Sequence, residues 1–209
     1  NKHVKSLAYL TPAYSNQPKG INNLKLKIVN LYFLFANLLI VAAQSVLFRK
    51  NEAPSKILLF RTGSLGDSIC AIPSILSIRR SFPDAKLILL TNAGGENLVS
   101  LPQLLNHQTY DEVIDYHGKK LPEISSALRA EKFDLVIELP QYQAPLFRQI
   151  RNMLFFRWIL KIPAGFGWDA ASCMFFRQTQ EKYIRYPNER ERLLTVLKKN
   201  HVATGPENI

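Results

Sequence analysis

Cysteine is scarce in this chain: Cys70 and Cys173 are the two in 209 residues, both in apolar surroundings. That excludes a disulfide framework and a four-ligand zinc site and leaves two buried thiols. The four histidines, His3, His107, His117 and His201, show no metal-ligand spacing and read as surface residues. Glycine is missing where a dinucleotide site needs it. Gly63 and Gly66 are followed by no third glycine, so G-x-G-x-x-G is absent, as is a Gly-Lys-Ser/Thr phosphate loop. Acidic residues are few as well, 16 against 27 Lys and Arg, for a net charge of +11. Residues 1–56 carry eight basic side chains against Glu52 alone, and residues 141–187 carry seven against Asp169 and Glu181. Such an excess asks for a polyanionic neighbour: nucleic acid, an anionic membrane surface or a phosphorylated substrate. No aromatic-basic recognition motif accompanies it, and the charge lies beside apolar stretches, which favours a membrane over nucleic acid.

Charge is absent altogether from Ile28 to Phe48, 21 residues flanked by Lys25 and Lys27 before and Arg49 and Lys50 after. A helix of that length spans a bilayer core of roughly 30 Å. Its polar residues are ordered: Asn23, Asn30, Asn37 and Gln44 recur every seventh position and form one narrow stripe. Three placements fit: lying in a membrane interface, spanning with the stripe against a partner, or packing in a core. Val41-Ala42-Ala43 resembles a signal-peptide cleavage site, but the long region before the apolar run argues against one. The domain division expected is therefore a basic arm with its hydrophobic helix over 1–55, where 1–27 read as flexible, and a globular domain over 56–209.

What is present in that domain is organised around Lys56 to Thr91. Ile57 to Phe60 is a continuous apolar run, as in a strand buried on both faces. Thr62-Gly63-Ser64-Leu65-Gly66 is turn chemistry, and Asp67 stands where a helix N-cap is expected. Ile69, Ile72, Ile75, Leu76 and Ile78 follow at helical spacing, Arg79 and Arg80 suit the helix C-terminus, and Leu87 to Leu90 reads as a second buried strand. Further along, the pattern predicts a short helix over 97–105 and strands over 112–115, 133–139 and 162–166. It predicts helices over 121–130, 145–160 and 189–199, the last capped by Asn188, and a helix capped by Asp169 running to Phe176. In the 145–160 helix Phe147, Ile150, Met153, Leu154 and Trp158 are placed on one face. Alternating β and α predicts a Rossmann-like three-layer α/β domain with a parallel sheet.

Ligands of such sheets bind at the carboxyl ends of the strands, which makes the loop Thr62–Asp67 the candidate site. Asp67 has two readings there. As a helix cap it contributes about 1 kcal/mol. As a general base it takes the proton from an attacking hydroxyl on the face opposite a leaving group. Glu138, at the end of its strand, reaches the same rim and is a candidate for orienting substrate. Arg148 and Arg151 are candidates for a phosphorylated acceptor or lipid headgroups.

Four segments together resemble glycosyltransferase family 9, the heptosyltransferases of lipopolysaccharide core synthesis. They are Ser64-Leu65-Gly66-Asp67 after Arg61, with Pro73 and Arg79 to Ala85 behind it; Phe133 to Glu138; Ala164 to Asp169; and Glu189-Arg190 to Leu194. The resemblance runs from about Lys56 to Leu197. It implies the N-terminal half of a two-domain GT-B fold, with Asp67 as catalytic base. It places Thr62, Gly63, Ser64 and Gly66 in the loop at the donor–acceptor junction. It further implies a nucleotide-sugar donor such as ADP-heptose, a lipid-linked saccharide acceptor, no metal cofactor, and a position at the cytoplasmic face of a bacterial inner membrane. The nucleotide-sugar pocket of the family lies mostly in a second domain, so residues 1–209 alone are expected to bind donor weakly and turn nothing over. Two departures bear on acceptor and sugar: Leu139-Pro140-Gln141 follows Glu138 where Gln-Gly is usual, and Tyr186-Pro187 replaces a usual His. The competing reading is a non-catalytic, membrane-associated scaffold that keeps the fold and does not use Asp67.

Overall fold

The computed structural model describes residues 23–51, 53–92, 101–105, 109–178, 183–185 and 187–204. The arm before residue 23, residues 93–100, His3, His107 and Tyr186 lie outside these. Helix α1 (Asn23–Leu47) precedes a parallel sheet of β1 (Lys56–Phe60), β2 (Lys86–Thr91), β3 (Glu112–Asp115), β4 (Leu135–Glu138) and β5 (Ala164–Phe166). The spatial order is β3-β2-β1-β4-β5, every pair parallel, with α2 (Leu65–Ser81), α3 (Leu101–Leu104), α4 (Leu121–Ala130) and α5 (Leu146–Leu154) in the connections. The chain reverses direction across the sheet between β1 and β4, as in a doubly wound domain. An antiparallel hairpin, β6 (Phe176–Gln178) with β7 (Tyr183–Arg185), and helix α6 (Glu189–Lys199) complete the described chain. The α/β class expected from the alternation is the one found.

The pleat sorts β1 between two cores. Ile57 and Leu59 point to a layer with Ile75 and Ile78 of α2 and Leu193 and Leu197 of α6. Leu58 and Phe60 point the other way, toward Leu128 of α4, Met153, Phe156 and Trp168. Central strands buried on both sides need apolar residues without alternation, which is why β1 and β2 read as unbroken runs. At the amino edge, Asp134 accepts from the Ser55 and Lys56 amides at 2.9 Å each and so pins β4 to the start of β1. The aspartate of the Phe-Asp motif is thus a sheet-edge clamp, at the end of the strands opposite to the site.

Three helical expectations need correction. The 145–160 helix is not one continuous α-helix, because Phe155–Ile159 winds as a wider π-turn. The buried face also differs from the one expected: Gln149, Met153, Phe156 and Leu160, at helical spacing, face inward, while Phe147 and Trp158, eleven residues apart on the other side, are exposed at 78% and 63%. Asp169 starts no helix to Phe176: it accepts from the Ser172 amide at 2.8 Å beside a short 3-10 turn, Ala171–Cys173, whose cap position is Ala170, and the chain then enters the β6–β7 hairpin that the pattern missed. Helix α2 is capped by Ser64, with Asp67 at its third position rather than at the cap.

Helix α1 rests on α5 and the turn after β5, on the α4/α5 side of the sheet. Its heptad stripe faces the domain. Asn30 donates to the Phe175 carbonyl at 3.0 Å and accepts from the Phe175 amide at 2.9 Å; Asn37 accepts from the Ala170 amide at 3.2 Å; Gln44 donates to Asn200 at 3.4 Å. Behind the helix, Phe48 stacks on Trp168 with centroids 5.1 Å apart, and Arg49 bridges to Ala164 beside β5. Among the core-facing apolar side chains, only Ala36 and Ile40 of α1 are fully buried.

Candidate functional site

The carboxyl ends of β1 and β4 lie side by side, and two loops leave them. After β1, Arg61 turns its guanidinium inward and is 1% exposed. It donates to the carbonyls of Leu139 (2.9 Å), Pro140 (3.0 Å) and Asp67 (2.9 Å), tying the loop after β1 to the loop after β4. Glu189, at the start of α6, meets Arg61 at 3.4 Å and Arg192 at 2.6 Å, and Arg192 also donates to the Pro140 carbonyl. One carboxylate is therefore shared by two buried guanidinium groups. Burial pulls the Arg61 pKa down, while at Arg192 the Glu189 hydrogen bond and charge outweigh burial and raise it.

Within this frame the segment Thr62–Asp67 opens α2. The Asp67 carboxylate accepts from the Ser64 amide and hydroxyl, both at 2.9 Å, and the Asp67 amide donates to the Ser64 hydroxyl at 3.3 Å. This is a reciprocal capping box, and it holds the carboxylate in one orientation at the positive end of a 17-residue helix. Gly63 adopts φ +151°, and a Cβ there meets the Asp67 Cβ at 2.7 Å and its Oδ2 at 2.9 Å. Asp67 thus owes its place to a glycine that leaves room beside it. Gly66 has no such constraint: only the Ser64 hydroxyl comes near its Cβ position, at 3.9 Å.

On the α5 side of the same edge a cleft of about 200 Å³ opens, lined by Thr62, Glu138, Arg148, Arg151, Asn152 and Tyr116 among others. Four of the residues named from the sequence, Thr62, Glu138, Arg148 and Arg151, converge there. Gly63, Ser64, Gly66 and Asp67 stand outside its lining, at the start of α2, joined to it through Thr62 and the Arg61 clamp.

Glu138 is buried, and both its oxygens are taken: Asn152 donates to one at 2.9 Å and Trp168 to the other at 2.6 Å. Burial pushes its pKa from 4.5 up to about 7, against the pull of those two donors and of Arg148 and Arg151. Gly167 makes the arrangement possible, since at φ +116° a Cβ would come within 2.0 Å of the Glu138 carbonyl oxygen. The sequence marks Glu138 as a strand-end carboxylate at the rim and a candidate for orienting substrate. The structure gives it two hydrogen-bond partners, Asn152 on the cleft wall and Trp168 buried behind it. Arg61, Arg192, Asn152 and Trp168 were not singled out; the one signal for Arg61 is a charged residue ending an otherwise apolar strand.

The raised pKa gives Glu138 a defined effect on stability. The folded state holds its proton more tightly than the unfolded chain, so this contribution is greatest below pH 4.5, declines as pH rises toward about 7, and is then level. The full difference is about 3 kcal/mol. Glu138→Gln keeps the shape and lacks the ionisation. Urea midpoints taken from pH 4 to pH 8 are expected to agree with the parent at the acid end and exceed it progressively toward pH 8. Parallel curves across that window would show that Glu138 ionises without penalty.

Among the described residues, no group of three His, Cys, Asp or Glu side chains is placed to hold a metal ion. Fold and cleft together define a parallel α/β domain with a polar, cation-lined site at the carboxyl edge of its sheet. No protein-family model and no curated protein matches the chain. Among solved structures, the glycosyl transferase family 9 protein from Veillonella parvula is similar over 77% of this chain and 45% of its own, at 17% identity and a TM-score of 0.49. An N,N'-diacetylchitobiose deacetylase from Pyrococcus horikoshii is similar over 91% of this chain and 83% of its own, at 12% identity and a TM-score of 0.33. The chain spans less than half the length of the Veillonella protein.

Proposed function

We propose that this chain supplies the acceptor-side domain of an inverting glycosyltransferase that moves a sugar, heptose by the sequence resemblance, from a nucleotide sugar to a lipid-linked saccharide. The observation that carries the reading is the pairing of an oriented carboxylate with a cationic cleft across one loop. Asp67 is held by Ser64 at the head of α2, and Thr62, Arg148 and Arg151 line the adjoining cleft. In this reading Asp67 removes a proton from the acceptor hydroxyl as the donor's diphosphate leaves from the opposite face of the sugar. Arg148 and Arg151 pair with phosphate groups of the acceptor, a task suited to guanidinium forks. No metal is assigned a role.

The reading is tested in the whole protein with a panel of nucleotide sugars, ADP-heptose included, and a lipid-linked core saccharide as acceptor. Transfer with inversion at the anomeric carbon is the expected result. The capping box favours a second reading, in which Asp67 only starts a helix and the chain is a non-catalytic scaffold. Absence of transfer from every donor, with the acceptor still bound, would decide for that one.

A further inference from the structure

Helix α1 is amphipathic in an inverted sense. Its polar stripe is turned inward and bonded to the domain, and its apolar surface is turned out. Leu31, Phe35 and Leu38 are 66%, 58% and 68% exposed, and Leu24, Ile28 and Val46 extend the surface to both ends of the helix. At 1.5 Å per residue the helix presents an apolar ridge roughly 37 Å long, beyond the patches that monomeric proteins leave open to water. Helix α5 packs against it on the same side of the sheet, and α5 with the π-turn that continues it adds exposed Phe147, Trp158 and Ile159.

The charge around this surface has one sign. Lys25, Lys27, Arg49 and Lys50 are exposed at the two ends of α1, no acidic residue occurs before Glu52, and residues 139–168 contain Arg148, Arg151, Arg157 and Lys161 with no Asp or Glu. An apolar ridge framed by cations and exposed aromatic rings matches an anionic lipid surface: hydrocarbon beneath, phosphates around. The same surface in a protein–protein contact would bring the cations of two copies together.

We propose that α1, with the exposed ridge of α5, is a monotopic anchor that lies flat in one leaflet of an anionic bilayer and does not cross it. The length and hydropathy of the helix are enough for crossing, and 11% of its most apolar window is buried. The stripe decides against crossing. To cross, α1 must leave the domain and carry Asn30, Asn37 and Gln44 into hydrocarbon without the backbone and Asn200 partners they now hold. Each unpaired amide there costs several kcal/mol. Lying flat keeps every one of these bonds and buries only the side chains already exposed. The inference is independent of glycosyl transfer, since a scaffold would dock in the same way.

The test uses purified protein diluted from detergent onto vesicles of phosphatidylcholine with and without phosphatidylglycerol. Co-flotation with the anionic vesicles, weakened by salt, and a blue shift of Trp158 emission that Trp158→Phe removes are expected; Trp168 is buried and contributes a constant background. Leu31→Asn/Phe35→Asn/Leu38→Asn changes exposed positions only and is expected to weaken binding about a hundredfold or more. An impermeant maleimide added outside the vesicles should label both Lys25→Cys and Lys50→Cys, above the background of Cys70. Labelling of one end alone means a spanning helix and overturns the flat placement. Equal binding by the triple variant, or a concentration-dependent dimer that ignores vesicles, overturns the lipid surface itself.

Discussion

On the proposed reading, Asp67→Asn is expected to leave the thermal midpoint nearly unchanged while turnover of the whole protein falls about 10²- to 10⁴-fold, the usual loss on removing a general base. The structural half of this expectation follows from the capping box. The carboxylate accepts from the Ser64 amide and hydroxyl at 2.9 Å each. Both bonds end on the same oxygen, Oδ2, so asparagine has the same shape and, with its amide oxygen in that place, accepts both unchanged. What is lost is a negative charge at the positive end of α2, worth about 0.3–1 kcal/mol at a partly exposed site. The functional half rests on the proposed reading. An asparagine cannot take a proton, so acceptor binding should persist while the chemical step stops, leaving KM nearly constant as kcat falls. Ser64→Ala separates the two roles further. It removes the cap hydroxyl, costs about 1 kcal/mol, and leaves the base in place. If Asp67 serves only the helix, Ser64→Ala and Asp67→Asn will lower stability together and leave specific activity intact.

The ambiguity at Asp67 explains how much of this region was legible beforehand. Ser64 and Asp67 are both cap formers and stand three apart, which is the spacing of a capping box. Position alone does not say which is the cap and which reaches back. At α6 the same chemistry was unambiguous, because Asn188 had no competitor and Lys198 and Lys199 marked the other end. The strands were legible because burial on both faces leaves an unbroken apolar run. The π-turn was not. Nor was the buried face of that helix: at 3.6 residues per turn Phe147 and Trp158 share a side, which is the exposed one, and the side that faces the core carries Gln149 beside Met153 and Phe156. The heptad of amides in α1 was visible as a stripe, but its partners, the backbone of Ala170 and Phe175 and the side chain of Asn200, are more than a hundred residues away. The fourfold convergence of Thr62, Glu138, Arg148 and Arg151 followed from topology, since all sit at carboxyl ends of adjacent strands or on the helix behind them.

The feature with least signal in the sequence carries the largest expected effect on stability. Glu189 and Arg192 are an i,i+3 pair on α6, but nothing in the sequence joins them to Arg61, at a distant strand end. In the structure the Arg61 and Arg192 side chains are 1% and 0% exposed, with Glu189 between them at 15%. Glu189→Ala leaves two guanidinium groups facing each other away from water. Arginine does not shed its proton, so the charge cannot be relieved by titration. Carbonyl oxygens of Leu139, Pro140 and Asp67 still accept from the pair, but dipoles do not neutralise two net charges. Removing one member of a buried ionic group in this way costs about 3–5 kcal/mol. In a domain of this size that is a fall of roughly 6–20 °C in midpoint. Glu189→Gln, which keeps hydrogen-bond acceptance without the charge, should fall between Ala and the parent. Because Arg61 also holds the Asp67 carbonyl, Glu189→Ala should loosen the loop that aims Asp67, and activity measured well below the midpoint should drop as well. A urea titration that finds less than about 1 kcal/mol for Glu189→Ala would mean that water reaches the guanidinium groups. In that case the clamp between the loops after β1 and β4 rests on the carbonyl bonds alone.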